Sequence, residues 1–105
     1  MRSITPRDLK SRLDRGESLA LVDVREPGEY AICALPGSRL IPMDEILRRI
    51  AELDPDVETV VVCHHGIRSA HVIAHLEPRG FSKLLNLRGG IDAWAREVDA
   101  SMKTY

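Results

Sequence analysis

The stretch that most constrains the fold is a β-branched run that ends in a cysteine and a short loop. Residues 59–63 are Thr-Val-Val-Val-Cys, and the loop continues from His64 to Ser69. A continuous apolar run of this length is typical of a strand covered on both faces, as in a parallel sheet. Ser69 is predicted to open a helix over 70–76. The pattern therefore places a thiol at the carboxyl end of a buried strand, facing the N-terminus of a helix.

This strand–loop–helix arrangement predicts a reactive thiol at Cys63. The N–H groups of the loop and the partial positive charge of a helix N-terminus both favour the thiolate, which is the nucleophile in cysteine chemistry. Gly66 is expected to adopt a backbone conformation that other residues resist, so that the amides point inward. We therefore predict that Cys63 is catalytic. The predicted substrate-binding loop comprises His64, His65, Gly66, Ile67, Arg68 and Ser69.

Strand and helix signals alternate about five times along the chain. Such alternation predicts an α/β fold with a parallel sheet and helices on both faces. In folds of this class the site lies beyond the carboxyl ends of the strands, where Cys63 is predicted to be. The helix expected to start at Asp44 has an apolar stripe formed by Ile46, Leu47, Ile50 and Leu53.

The bulk properties narrow the function classes. The chain has 105 residues, which suits one domain over 1–105, with 99–105 expected to be a loose tail. Fifteen Lys and Arg against 16 Asp and Glu give a net charge of −1, which argues against nucleic-acid binding. No apolar run is long enough to span a membrane and no signal-peptide core is present, so a cytoplasmic protein is expected. Two cysteines do not make a disulfide framework.

Five motifs in order resemble the signatures of the rhodanese-like sulfurtransferases. They are Asp23–Tyr30, Leu35–Ser38 followed by Ile41-Pro42, Cys63–Ser69, Gly80-Phe81 and Leu87–Trp94. The resemblance implies a five-stranded parallel sheet and transfer of sulfur through a persulfide on Cys63, with no cofactor. The implied partners are a small-molecule sulfur donor or a persulfide-carrying protein.

Two departures from the family pattern lie just before the Leu35 turn. Many members have a histidine where this chain has Ala34, which affects the rim of the pocket. The pair Ile32-Cys33 is more similar to rhodanese domains fused to E1-like adenylating enzymes. That likeness implies a ubiquitin-like sulfur carrier or an E1-like enzyme as a further partner.

Several side chains have two interpretations. Arg68 either binds an anionic donor or acceptor, or forms a salt bridge that braces the loop. Asp23 and Arg25 are predicted to be structural supports, with Asp23 bracing the loop and Arg25 pairing with Glu29. Cys33 is either a second sulfur carrier or resolving thiol, or a small apolar filler, and we expect the filler. No metal site is predicted, although two histidines, His71 and His75, share one helix face.

Two alternative functions stay open at this point. A cysteine-dependent phosphatase or arsenate reductase of the same fold also uses a cysteine, a loop and an arginine. Four residues separate Cys63 from Arg68, whereas phosphatases of similar arrangement use one more, so the shorter loop suits a single sulfur atom. A non-catalytic binding module is the other alternative. The donor also stays open among thiosulfate, mercaptopyruvate and a desulfurase persulfide.

Overall fold

The computed structural model describes residues 1–105 and contains one sheet of five parallel strands. The strands are β1 (Ser3–Ile4), β2 (Ala20–Asp23), β3 (Arg39–Leu40), β4 (Thr59–Val62) and β5 (Leu84–Leu87). The helices are α1 (Pro6–Asp14), α2 (Pro27–Ile32), α3 (Ile67–Leu76) and α4 (Gly90–Glu97). The strand order is β1-β5-β4-β2-β3. The predicted parallel α/β fold is therefore confirmed.

Helices cover both faces of the sheet, and two apolar clusters result. The α3-face cluster contains Val22, Val24, Ile41, Ile46, Val61, Cys63, Val72, Ile73, Leu76, Phe81 and Leu84. The α1/α4-face cluster contains Ile4, Leu9, Leu21, Leu35, Val60, Val62, Leu85, Leu87, Ile91 and Trp94. Because successive residues of a strand point to opposite faces, β4 contributes to both clusters and is buried throughout. This double burial explains why the sequence of β4 is a continuous apolar run.

The prediction of a regular helix starting at Asp44 is wrong. The segment instead contains two short 3₁₀ helices, Met43–Glu45 and Ile50–Glu52, separated by turns. Its backbone bonds mostly span three residues, as in the bonds from Ile46 to Met43 and from Leu53 to Ile50. The apolar stripe was interpreted correctly, since Ile46 belongs to the α3-face cluster and Ile50 and Leu53 pack against it. Tertiary burial of the stripe, rather than regular helix geometry, positions this segment.

The last residues of the chain, expected to be loose, contact the body of the domain. Met102 packs against the α1/α4-face cluster. Tyr105 forms hydrogen bonds to Arg25 and Glu29 and stacks on His64. The tail therefore lies over the loop that follows β4.

No helix of the structure has the length and apolar character needed to cross a membrane.

Candidate active site

The thiol of Cys63 lies directly beyond β4, on the α3 face of the sheet. The residue is only 1% exposed. Its Sγ accepts a hydrogen bond from the Gly66 N–H at 3.0 Å and lies 3.2 Å from the Ser69 Oγ. Gly66 has the expected left-handed conformation, with φ of 101°, and caps α3. Because of this turn α3 begins at Ile67, two residues before the predicted start at Ser69.

A side chain from β5 completes the surroundings of the thiol. Ser69 donates its hydroxyl proton to Asn86 Oδ1 at 2.5 Å, and Asn86 Nδ2 donates to the Gly66 carbonyl at 3.0 Å. With its proton directed to Asn86, the Ser69 oxygen presents a lone pair to the Cys63 S–H. Sequence reasoning missed Asn86. A usable signal was a lone amide residue in the otherwise apolar run Leu84–Leu87.

The N-terminus of α4 anchors the backbone of the loop. The Ile91 N–H donates to the Cys63 carbonyl at 2.9 Å, and the Asp92 N–H donates to the His64 carbonyl at 3.1 Å. Gly90 sits against the same two carbonyls, so closely that a Cβ there would lie 2.3 Å from the His64 oxygen. The pair Gly89-Gly90 at the start of the helix is the sequence signal for this close approach.

Arg68 forms the salt bridge that the sequence left as one of two interpretations. Its two terminal nitrogens donate to the two carboxylate oxygens of Glu29, at 2.7 and 2.8 Å. Glu29 also accepts from the Glu26 N–H at 2.9 Å and from the Tyr105 hydroxyl at 2.8 Å. The hydrogen bonds from Arg68 make the largest contribution to lowering the pKa of Glu29 to about 2, and those from Glu26 and Tyr105 contribute less. Burial acts in the opposite direction. This carboxylate is therefore ionised at neutral pH.

Arg25 pairs with Asp23, so the predicted ion pair between Arg25 and Glu29 is wrong. Both side chains of the pair are fully buried, and Arg25 Nη2 lies 2.8 Å from Asp23 Oδ2. Arg25 also donates to the backbone carbonyls of Glu29 and Cys33, at 3.3 and 2.6 Å, and to the Tyr105 oxygen at 2.8 Å. Asp23 thus makes its side-chain contacts with Arg25 rather than with the loop. The buried pair positions α2 and the tail beside the site.

The histidines of the loop have different surroundings. The ring of His64 stacks on Tyr105, with centroids 3.9 Å apart and planes inclined by 8°. Burial, together with the neighbouring His65, lowers the pKa of His64, so this ring is neutral at pH 7. His65 is exposed, and its Nδ1 lies 3.9 Å from Asp92. Ile67, the next apolar residue of the loop, is 69% exposed.

The two histidines of α3 do not form a metal site with other ligands. The Nδ1 of His75 lies 2.9 Å from the backbone carbonyl of His71, so one ring nitrogen is engaged within the helix. No group of three or more His, Cys, Asp or Glu side chains is placed to hold a metal ion.

Comparison with known proteins identifies the family to which this fold belongs. Residues 5–97 match the family model of the rhodanese-like domain. The chain belongs to the rhodanese-like family. A crystal structure of a rhodanese-like domain protein from Staphylococcus aureus superposes with a TM-score of 0.87 at 34% identity, covering 100% of this chain and 99% of that one.

Two curated relatives carry names that describe sulfur transfer. A protein of Allochromatium vinosum named sulfurtransferase is 41% identical over 93 residues, covering 89% of this chain and 87% of the relative. The probable adenylyltransferase/sulfurtransferase MoeZ of Mycobacterium tuberculosis is 42% identical over 105 residues, covering 98% of this chain. The match spans only 27% of the length of MoeZ. Both names describe sulfur transfer, and the family model itself matches residues 5–97 of this chain.

Proposed function

We propose that this chain moves sulfane sulfur from a donor to an acceptor through a persulfide on Cys63. The observation that carries the proposal is the position of the Cys63 sulfur at the N-terminus of α3, where it accepts the Gly66 N–H at 3.0 Å. The first N–H groups of a helix have no intrahelical acceptor, and the helix dipole adds partial positive charge there. Such surroundings stabilise both a thiolate and the terminal sulfur of a persulfide anion.

In the first step, the Cys63 thiolate attacks the outer sulfur of the donor. A sulfur–sulfur bond forms at Cys63, the sulfur–sulfur bond of the donor breaks, and the leaving group departs with the electron pair. In the second step, an acceptor thiolate or cyanide attacks the outer sulfur and the Cys63 thiolate is released. The persulfide anion has one terminal sulfur, which the short loop accommodates while its N–H groups act as an oxyanion hole does.

The positions of the other loop residues support this role. Ser69 and Asn86 fix the thiol from one side, and the N-terminus of α4 fixes the backbone of Cys63 and His64 from the other. The Gly66 N–H already points at the sulfur and need not move when charge develops there, whereas the Ser69 hydroxyl must turn from Asn86 to donate to the sulfur. No cofactor is required, since the displacement uses only thiol chemistry.

We also propose a protein partner, on the strength of the relatives. MoeZ is named as an adenylyltransferase and a sulfurtransferase, and this chain corresponds to 27% of its length. A ubiquitin-like sulfur carrier or an E1-like enzyme would then accept the sulfur held by residues 1–105. A reducing compartment such as the cytoplasm would keep Cys63 and Cys33 as thiols.

Mass spectrometry of the intact protein tests the proposal. After exposure to thiosulfate, to cysteine persulfide or to a desulfurase loaded with persulfide, wild type should gain the mass of one sulfur atom. Cys63→Ser should abolish this gain, and Cys33→Ser, the matched control, should retain it. Addition of cyanide should remove the sulfur as thiocyanate. Wild-type protein left unmodified by all three donors would refute the proposal.

A further inference from the structure

The only permanently charged cation of the loop is already paired inside the chain. Both terminal nitrogens of Arg68 donate to Glu29, one to each carboxylate oxygen. A forked guanidinium is well suited to a sulfonate or similar anion, but a bidentate carboxylate uses the same two donors. A small anion that approaches Cys63 therefore meets a neutral ion pair rather than a free guanidinium.

Glu29 is held in this position by groups other than Arg68. Its Oε2 accepts the Glu26 N–H at 2.9 Å, which closes the capping box of α2. Its Oε1 accepts the hydroxyl proton of Tyr105 at 2.8 Å. Tyr105 is itself fixed, because its oxygen accepts from Arg25 at 2.8 Å and its ring stacks on His64. The carboxylate is thus part of a connected network and not a mobile surface group.

The charge of the donor matters at the moment when its sulfur–sulfur bond breaks. With thiosulfate, the leaving group is sulfite, which departs as a dianion after the outer sulfur joins Cys63. With a persulfide R–S–SH, the leaving group is a thiolate with a single negative charge and an organic part. The loop offers that organic part an apolar neighbour, because Ile67, next to Arg68, is 69% exposed. A neutral Arg68–Glu29 pair gives the dianion little stabilisation.

We propose that Glu29 determines donor specificity by occupying Arg68, so that the site selects persulfides over small dianionic donors such as thiosulfate. The inference rests on the proposed function, since it concerns the donor of the same Cys63 chemistry. Tyr105 acts as a positioning residue, because it reaches the donor site only through Glu29 and through the ring of His64. The persulfide is that of free cysteine or of a protein cysteine, and both belong to one chemical class.

The experiment measures the rate constant for persulfide formation on Cys63 with each donor separately. Glu29→Gln removes the charge and keeps the side-chain shape, which leaves Arg68 with a net positive charge. We expect the thiosulfate rate constant to rise on the order of tenfold, and this gain to shrink as salt is added. The rate constants with cysteine persulfide and with a persulfide-loaded desulfurase should change less than about threefold by the same electrostatic reasoning.

Two further variants complete the test. Glu77→Gln is the matched control: it makes the same change in charge at an exposed residue beyond the far end of α3, and should leave every rate constant unchanged. Tyr105→Phe keeps the ring but removes the hydroxyl, and should raise the thiosulfate rate constant by less than Glu29→Gln does. This variant also tests the inference if Glu29→Gln fails to fold.

The outcomes separate the two levels of the proposal. If the ratio of thiosulfate to persulfide rate constants is the same in wild type, Glu29→Gln and Tyr105→Phe, the role of Glu29 is wrong while Cys63 chemistry stands. The same conclusion follows if Glu77→Gln raises the thiosulfate rate constant as much as Glu29→Gln. If no donor modifies Cys63 in wild type, the sulfurtransferase proposal itself is wrong. A small persulfide that reacts far more slowly than the loaded desulfurase would assign the site to a protein donor.

Discussion

Replacement of Gly90 by alanine is expected to displace the loop that carries Cys63. A Cβ at this position would lie 2.3 Å from the His64 carbonyl oxygen, 2.4 Å from its carbon and 2.6 Å from the Cys63 carbonyl oxygen. Ordinary contacts of a Cβ begin at 3.4 Å, so the overlap is about 1 Å. The overlapping atoms belong to the backbone of Cys63 and His64, which cannot turn aside as a flexible side chain would. Either α4 or the loop must move, and the hydrogen bonds from Ile91 and Asp92 must stretch.

The size of the effect follows from two terms. Gly90 has φ of 64°, where a residue with a side chain costs about 1–2 kcal/mol. Overpacking against backbone adds about 1–3 kcal/mol. We therefore expect the free energy of unfolding to fall by roughly 2–5 kcal/mol. A shift of the thiol by about 1 Å should also lower the rate of persulfide formation around a hundredfold.

The matched control for this change is Gly80→Ala. Gly80 also has a positive φ, 92°, but nothing lies within 4 Å of a Cβ placed there. It should therefore show only the backbone cost, with unchanged reactivity of Cys63. Urea unfolding gives the stabilities, and the rate of persulfide formation gives the reactivity of the thiol. Equal destabilisation of the two variants, with equal and undiminished rates, would refute the steric reasoning.

Four further outcomes are expected. Arg25→Leu should lower the free energy of unfolding, measured by urea titration, by about 3–5 kcal/mol, because it leaves the Asp23 carboxylate buried without a partner. A decrease no larger than that caused by replacing an exposed arginine would contradict this prediction. The pKa of Glu29 is lowered from 4.5 to about 2. The ionised carboxylate therefore contributes fully to the free energy of unfolding above pH 4.5, and this contribution is lost as the pH falls toward 2. The stability difference between wild type and Glu29→Gln should therefore narrow below pH 4.5; a constant difference would argue against the ion pair. Cys33→Ser should keep sulfur transfer to cyanide within a few-fold of wild type, since Cys33 packs against the α1/α4-face cluster and Cys63 belongs to the other. Wild type should hydrolyse an aryl phosphate no faster than Cys63→Ser, and Cys63-dependent hydrolysis would support the phosphatase alternative.

The elements of the fold that depend on local pattern were predictable from the sequence. A run of β-branched residues over 59–62 indicated a strand buried on both faces, and the structure has β4 there. Thr5 followed by Pro6 is a pattern typical of a helix start, and α1 begins there with Thr5 accepting the Asp8 N–H. Gly66 indicated a special backbone conformation, and its φ is positive. These features are predictable because the alternation of side chains along a strand, the capping of a helix and the backbone conformation of a glycine depend on residues close together in the chain.

The pairing of side chains across elements was decided only by the tertiary structure. Arg68 and Glu29 are 39 residues apart, and the choice between an anion site and a salt bridge depends on where α2 lies against the loop. Asn86 reaches Ser69 across 17 residues because β5 is the neighbour of β4 in the sheet. In the same way, the tail crosses the site because Tyr105 finds partners 76 and 80 residues away. A local pattern cannot specify such contacts, since they depend on strand order and on packing, which bring distant residues to one edge of the sheet.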